Sequence, residues 1–537
     1  MSTAIPEKSP VDADENRHTG QDAPQSIRWW PAVLIVLLVT AIIIYSQVGV
    51  TFVGQGRVIA IQILPILGVL LLWGWLLVAS RVSLRRRLTI SAGMIAAVVV
   101  LSALVRWDGV NGDLWLQFSW RWSARPSPVV QLSNTISPTL PVDLTHTTSG
   151  DYPQFLGSTR FGRVEGEALS HDWHAHPPEL LWRQPIGQGW SSFAVVGDFF
   201  VTQEQRGEQE LTVCYELRTG RERWQHAENA RFVSPLSGGG PRSTPTIADG
   251  RVHVCGGTGI LCCLDGATGT LLWRHDLFAE HGTTNNEYGY SCSPLLYDHV
   301  VVVCTGGETG PTLAAYDQQD GSLVWASSSQ DQMGYSSPSL ITLCGRRQVV
   351  VLNHLVVAGY DSSNGEKLWD YVWPGFESKV SQPLPWDNDK LFVSSGYGVG
   401  CGLLQLELTD DGAFDVQELW HTKDMKTKFT TAIIRDGCAY GLDNGILSCV
   451  EVSTGKRRWK RGRYGHGQII MVNDVLLIVG EYGEVALVEA QPEKFVELTR
   501  FVALGGKTWN TPALSGDLLL VRNDHEAACY RLPLSPP

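Results

Sequence analysis

Three uninterrupted apolar runs lie in the first 105 residues of the chain, at 31–48, 58–79 and 88–105. Each run contains no charged residue and has about 18 to 22 residues, which is the length that a helix needs to cross about 30 Å of hydrocarbon. We therefore predict a membrane anchor of three transmembrane helices over residues 29–105.

The basic residues beside these runs predict their orientation. Arg81 and Arg85 to Arg87 lie between the second and third runs, whereas the loop between the first and second runs contains only Arg57. Because cytoplasmic loops are enriched in Lys and Arg, we expect residues 1–28, a polar and disordered tail, to be cytoplasmic. Everything after residue 105 would then lie in the periplasm, outside a bacterial inner membrane.

After the anchor, a linker is expected over residues 106–176, and beyond it short apolar stretches alternate with turns. An acidic residue, a turn that ends in Gly and a Trp four residues later recur at intervals of about 36 to 52 residues, a spacing typical of repeat architectures. Clear copies begin at Glu216, Asp265, Asp317, Asp361 and Glu451. A copy with a longer turn ends at Trp420, a copy at Glu489 has lost its Trp, and Trp182 precedes the first copy.

A second element gives the same number of repeats. In this element, a pair of residues that begins with a small or polar side chain opens an apolar strand. The copies start at Ser192, Thr244, Ser293, Ser337, Gln382, Thr431, Gly467 and Thr511. We therefore predict an all-β, eight-bladed β-propeller over residues 177–537. The last strand, near Cys529, would complete its blade with the strand of Trp182, because propellers commonly close their ring by joining the two chain ends.

The repeated Trp residues are predicted to dock one blade on the next. A buried Trp removes on the order of 200 Å² from water, and a single blade has no core of its own. The predicted docking residues are Trp182, Trp224, Trp273, Trp325, Trp369, Trp420 and Trp459.

Composition agrees with this architecture and excludes some functions. The chain has 20 Trp, 55 Gly and 27 Pro, which suits many short strands joined by tight turns. Residues after 105 carry 34 basic and 49 acidic side chains, and this negative charge argues against nucleic-acid binding. The 11 Cys include no Cys-x-x-Cys pair, which argues against structural zinc and c-type haem, and no metal ligand set is predicted.

The Asp-x-x-Thr-Gly-x-x-x-Trp copies resemble the tryptophan-docking repeats of propellers that bind pyrroloquinoline quinone. This resemblance covers roughly Pro177 to the C-terminus. The family includes membrane-bound quinoprotein dehydrogenases and also non-enzymatic relatives, such as the propeller lipoprotein of the outer-membrane barrel-assembly machinery. The resemblance therefore implies the fold and leaves the activity open. For an enzyme it would imply a quinone cofactor with calcium, and the adjacent Cys262 and Cys263 are similar to a vicinal disulfide of some quinoprotein alcohol dehydrogenases.

The residues just before each first strand are candidate ligand-binding residues, since in propellers they face the mouth of the central channel. We call them the funnel residues: Trp190, Arg242, Tyr290, Tyr335, Lys379, Lys428, His466, Lys507 and Trp509. Aromatic planes and cations would suit a planar anion such as pyrroloquinoline quinone. Alternatively, these side chains fill the channel and pack on one another.

Two functions remain open from the sequence. The first is a binding or scaffold module with protein partners in the periplasm. The alternative is a pyrroloquinoline-quinone-dependent dehydrogenase that passes electrons to the membrane quinone pool, with calcium held by loop oxygens at 285–287 or 523–524. No catalytic residue can be named, because no nucleophile motif or P-loop is present.

The arginine loop makes the predicted topology testable. A reporter that is active only in the periplasm should be active when fused after Pro537 and inactive when inserted at Ser83, and a cytoplasmic reporter should give the reverse pattern. Activity of the periplasmic reporter at Ser83 would contradict the predicted orientation.

Overall fold

The computed structural model describes residues 27–48, 55–123 and 141–535. The chain divides into two compact units, one containing the N-terminal helices and the other containing the chain from Arg106 onward. Most of the predicted cytoplasmic tail, residues 1–26, lies outside the described residues.

The first unit contains three helices among its described residues: α1 (Trp30–Val48), α2 (Gln55–Val78) and α3 (Leu84–Leu104). All three are long and apolar enough to cross a membrane, as the hydrophobic pattern predicts. Trp73 on α2 donates its indole N–H to the hydroxyl of Ser91 on α3 at 2.9 Å, so a polar contact joins these two helices.

Residues 179–535 form eight antiparallel blades, numbered here in chain order, and each blade has four main strands. The strands of blades 1 to 4 are Ala194–Val196, Phe199–Arg206, Gln209–Glu216 and Glu222–Glu228; Thr246–Ala248, Arg251–Cys255, Ile260–Asp265 and Leu271–Asp276; Leu295–Tyr297, Val300–Cys304, Leu313–Asp317 and Leu323–Ala326; and Ser339–Leu343, Arg346–Leu352, Val356–Asp361 and Lys367–Val372. A short helix, Leu277–His281, follows blade 2.

The strands of blades 5 to 8 are Leu384–Trp386, Lys390–Ser395, Gly400–Leu408 and Phe414–Thr422; Ile433–Arg435, Cys438–Asp443, Ile446–Glu451 and Arg457–Arg463; Gln468–Val472, Val475–Val479, Glu484–Glu489 and Glu497–Val502; and Ala513–Ser515, Leu518–Arg522, Glu526–Arg531 and Glu179–Pro185. The last strand of blade 8 therefore comes from the beginning of the propeller sequence, and Trp182 lies opposite Cys529. The two chain ends share a blade, as predicted.

The first strands of neighbouring blades approach one another around the centre, including those of blades 8 and 1. There, the backbone N–H of one strand-opening residue donates to the side chain of the next. This hydroxyl belt runs from Ser192 to Thr244 (3.4 Å), Ser293 (2.9 Å), Ser337 (2.9 Å), the Gln382 amide (3.0 Å) and Thr431 (3.1 Å). The Ser192 hydroxyl donates to the Thr511 carbonyl at 2.6 Å, which joins blade 1 to blade 8.

The docking Trp of one blade packs on the turn glycine of the next. Gly269 of blade 2 has a φ of +73°, and a Cβ there would lie 2.5 Å from the Trp224 ring of blade 1. The Trp224 indole N–H donates to the Gly266 carbonyl of the same turn at 2.9 Å. Only glycine combines this backbone conformation with so close an approach. The same packing joins Trp182 to Gly220, Trp273 to Gly321, Trp325 to Gly365 and Trp420 to Gly455.

Trp369 has a different partner. Its indole N–H donates to the Gln348 side chain of its own blade at 2.6 Å. The corresponding turn of blade 5 is longer, between Leu408 and Phe414, and lacks the Thr-Gly sequence. The side chain is nonetheless buried, with 5% exposed.

Small residues on the third strands lie opposite the docking Trp residues. Cys214, Cys263 and Cys449 pair with Trp224, Trp273 and Trp459, and all three thiols are buried and free. A bulge follows each of these pairs. This position explains why Cys recurs in the repeat, since a small apolar side chain fits beneath the ring.

The described parts of the expected linker contact the propeller. The segment begins with a hairpin of Val105–Val110 and Leu116–Trp120. Further along, Arg163–Val164 adds a parallel strand to blade 7, and Tyr152 bridges to Val195 of blade 1. Residues 106–123 and 141–176 therefore contribute to the propeller unit and are more than a spacer.

Removal of one docking ring should destabilise the whole propeller unit. Trp273→Ala or Trp369→Ala should lower the free energy of unfolding by about 3 to 5 kcal/mol, the usual effect of deleting a large buried aromatic side chain. Phe376→Ala is the control, because its side chain is 80% exposed. Thermal or denaturant unfolding measures the difference, and equal stability of the Trp273 variant and the control would contradict inter-blade docking.

Candidate functional site

The tip of the N-terminal hairpin, residues 110–114, lies in the funnel. The Gly112 N–H donates to the Glu481 carboxylate at 2.7 Å. The Lys428 ammonium donates to the Gly112 carbonyl, and His466 Nε2 lies 2.8 Å from the Asp113 carboxylate. The chain itself therefore supplies both the donors and the acceptors that meet the funnel side chains.

Gly112 is required for this close approach. A Cβ at Gly112 would lie 2.3 Å from the His466 ring and 2.7 Å from its Cβ. Because the second distance is to an atom near the backbone, His466 has little freedom to move away. The glycine thus allows the tip to contact the floor of the funnel.

Glu481 is a central acceptor that no sequence motif indicates. It is 2% exposed and accepts hydrogen bonds from Gly112 N, Trp509 Nε1 at 3.1 Å and His466 N at 3.0 Å. These three donors satisfy the hydrogen-bonding capacity of a buried side chain. Its sequence context, an ordinary turn between two strands of blade 7, gives no signal of this role.

Two funnel lysines lie against aromatic rings. The Lys428 ammonium is 5.0 Å from the centre of the Tyr397 ring, and that of Lys507 is 4.3 Å from the Trp509 ring. Burial lowers the pKa of both lysines, and the Asp113 carboxylate partly offsets this effect at Lys428. The hydrogen bond from His466 in turn lowers the pKa of Asp113. These charges compensate one another within the chain.

A cavity of about 190 Å³ is lined by the hairpin tip and by most of the hydroxyl belt. Four funnel residues line it: Trp190, Arg242, Tyr335 and Trp509. The Trp190 and Trp509 rings are 5.0 Å apart. The strand-opening positions thus bring these side chains together, and several aromatic rings form part of the cavity wall.

Arg242 is held by its own loop. Its guanidinium donates to the Ser237 hydroxyl at 2.8 Å and to the Gly238 carbonyl at 3.0 Å, and it lies 4.5 Å from the Phe232 ring centre. Burial lowers the pKa of Arg242 to about 10. The side chain therefore orders the loop that forms one cavity wall.

Five funnel residues do not line the cavity: Tyr290, Lys379, Lys428, His466 and Lys507. The Lys379 ammonium donates to the carbonyls of Pro374 and Gly375 at 2.7 and 2.9 Å, and burial lowers its pKa to about 8. Tyr290 is fully buried and donates its hydroxyl to the Cys304 carbonyl at 3.0 Å. The funnel cations do not all meet at one point, because the Lys379 ammonium binds carbonyls of its own loop.

The loop oxygens considered for calcium differ in their contacts, and Asn285 Oδ1 is buried without a hydrogen-bond partner among the described residues. Asn523 Oδ1 accepts two backbone N–H groups at 2.9 Å, and the Asn286 amide donates to the Met333 carbonyl at 3.0 Å. The adjacent thiols point to opposite faces, as strand alternation predicts: Cys262 contacts Glu228, and Cys263 contacts the Gln318 carbonyl.

Comparison with known proteins agrees with this architecture. The family described as outer membrane protein assembly factor BamB matches residues 207–461. BamB of Shewanella oneidensis is 22% identical over 293 residues, which cover 52% of this chain and 71% of that protein. The resemblance to quinoprotein-like propellers is confirmed.

Solved structures extend the comparison to the fold alone. A europium-containing methanol dehydrogenase has a TM-score of 0.55 at 11% identity, and the match covers 72% of this chain and 98% of the other. The quinohemoprotein alcohol dehydrogenase of Comamonas testosteroni has a TM-score of 0.54 at 10% identity, covering 72% and 81%. At these identities this propeller shares an architecture with the dehydrogenases, and no activity follows from it.

One methyl group added at residue 112 should displace the hairpin tip from the funnel. Gly112→Ala should disrupt at least one charge-assisted hydrogen bond, a loss of roughly 2 kcal/mol, and so make the hairpin at least ten times more susceptible to limited proteolysis. Gly166→Ala is the matched control, since a Cβ there would have nothing within 4 Å. Equal cleavage rates for the two variants would show that the tip is not held in the funnel.

Proposed function

We propose that this protein is a membrane-tethered binding or scaffold module, with its N-terminus in the cytoplasm and its propeller in the periplasm of a bacterial inner membrane. The three apolar helices support membrane insertion. The arginine loop between α2 and α3 supports the orientation, because such loops remain cytoplasmic.

The observation that carries this proposal is the hairpin tip in the funnel. Lys428 binds the tip carbonyl of Gly112 and lies 3.8 Å from Asp113. These contacts use a cation that an anionic ligand would otherwise attract. A propeller whose central mouth holds its own chain is suited to act through its outer surfaces.

The described residues do not fit pyrroloquinoline quinone while the tip is docked. A planar tricarboxylate needs a flat slot and free cations, whereas the cavity of about 190 Å³ is smaller than the roughly 300 to 1,000 Å³ of common ligand pockets. Calcium takes about six to eight oxygen ligands, whereas the side-chain oxygen of Asn523 already accepts two backbone N–H groups. The dehydrogenase alternative would require the hairpin to leave the funnel.

The hairpin also offers a surface for a partner. Aromatic side chains are frequent anchors in protein interfaces, and five of them on or beside the hairpin are between 43% and 66% exposed: Trp107, Trp115, Phe118, Trp120 and Trp122. The matching relative is named for a role in outer-membrane protein assembly. This similarity supports a protein as the partner.

A photo-reactive amino acid at Trp120 should test this proposal in intact cells. We expect a discrete protein adduct from this position, because the side chain is 49% exposed on the hairpin. The control is the same replacement at Phe376, which is 80% exposed on blade 4's connection to blade 5, and no adduct is expected there. Mass spectrometry of the adduct identifies the partner.

Two results would contradict the proposal. One is labelling of lipid alone from Trp120. The other is quinone-dependent dye reduction by the purified full chain after incubation with pyrroloquinoline quinone and calcium, which would favour the dehydrogenase.

A further inference from the structure

A second cluster of polar side chains lies between blades 1 and 2, outside the funnel. His226 and Glu228 are two residues apart on the last strand of blade 1, so that their side chains share a face. Cys262 approaches them from the third strand of blade 2. His226 Nε2 lies 3.0 Å from Glu228 Oε1, and the Cys262 thiol lies 3.5 Å from the same oxygen.

These separations are close to the edges of a tetrahedral zinc site. Zinc lies about 2.0 to 2.3 Å from nitrogen, oxygen and sulfur ligands, which at tetrahedral angles places neighbouring ligand atoms roughly 3.3 to 3.6 Å apart. One ligand atom from each of the three residues lies within 4.8 Å of the others. The three groups could therefore bind one ion with small side-chain adjustments.

The other carboxylate oxygen of Glu228 is already oriented. Arg274 Nε donates to Glu228 Oε2 at 3.1 Å, which leaves Oε1 facing His226 and Cys262. Metal-binding carboxylates and imidazoles are commonly fixed by such outer partners. Arg274 thus holds the carboxylate in the position that a metal ion would need.

Glu210 gives an independent indication that a cation fits this cavity. It lies opposite Glu228 in the strand ladder, is 5% exposed, and its Oε1 has no hydrogen-bond partner among the described residues. The side chain lines the same small cavity as His226, Glu228 and Cys262. A buried carboxylate oxygen without a partner is costly, and a cation in this cavity would remove that cost.

We propose that His226, Glu228 and Cys262 bind one zinc ion that joins blades 1 and 2. The cavity of about 10 Å³ has room for roughly one water-sized particle, and Glu210 lies at its edge to complete the ligand set directly or through water. A thiolate with imidazole and carboxylate favours zinc over calcium or magnesium. Binding converts the Cys262 thiol to a thiolate and releases its proton to solvent.

The experiment uses the purified full chain in detergent, without a histidine tag, after chelator treatment. Zinc alone should bind at one ion per chain and raise the melting temperature with increasing concentration. Cobalt, as a spectroscopic substitute, should give a thiolate-to-metal absorption band. Cys262→Ser should abolish this band and weaken zinc binding at least tenfold.

Cys263→Ser is the matched control. Cys263 is adjacent and equally buried, yet its thiol contacts the Gln318 carbonyl on the other face of the strand. This variant should keep the zinc-dependent stabilisation and the cobalt band. His226→Ala provides a second test if Cys262→Ser does not fold, and it should also weaken binding at least tenfold.

Three results would overturn the proposal. They are no zinc binding by the wild-type chain, a cobalt spectrum without thiolate absorption, and a zinc affinity that is unchanged in His226→Ala. Any of them would show that the cluster is a hydrogen-bonded contact between two blades and has no role in binding metal.

Discussion

The propeller depends on the contact between a Trp ring of one blade and a turn glycine of the next. A four-stranded blade is too thin to bury both of its faces alone, so its stability comes from its neighbours. Trp224 illustrates the contact, because its ring lies against Gly269 while its N–H satisfies a carbonyl of the same turn. The ring must also close, and the strand that contains Trp182 completes blade 8. Each blade is therefore held on both sides.

The sequence predicts the fold well because its determinants are local and repeated. The turn, its glycine and the Trp lie within nine residues in each clear copy, and the strand-opening residues that form the hydroxyl belt recur in the same register. Both patterns count eight blades independently. The partner of Trp369 could not be predicted, since the turn of blade 5 is longer and the indole N–H binds Gln348 instead. The longer turn of blade 5 indicates that the contact of Trp369 differs from the others, but it does not indicate the new partner.

The funnel is predicted only in part. Position in the repeat correctly brings Trp190 and Trp509 to one cavity, because the blade geometry sets where the strand-opening residues lie. The direction of each long side chain depends on nearby loop carbonyls, which is why Lys379 binds Pro374 and does not line the cavity. The occupant could not be predicted either. Gly112 and Glu481 are 369 residues apart, and neither belongs to a repeated element.

The loop between blades 1 and 2 connects the two candidate sites. It begins after Glu228, at the proposed zinc cluster, and ends at Arg242 on the cavity wall. Between these ends, the Phe232 N–H donates to the Gln205 side chain at 2.9 Å, and the Ser237 carbonyl accepts the Trp190 indole N–H at 2.5 Å. The loop is therefore anchored at its start, at two interior points and at its end. The cavity wall consists partly of this loop, so these hydrogen bonds also fix the wall next to Arg242.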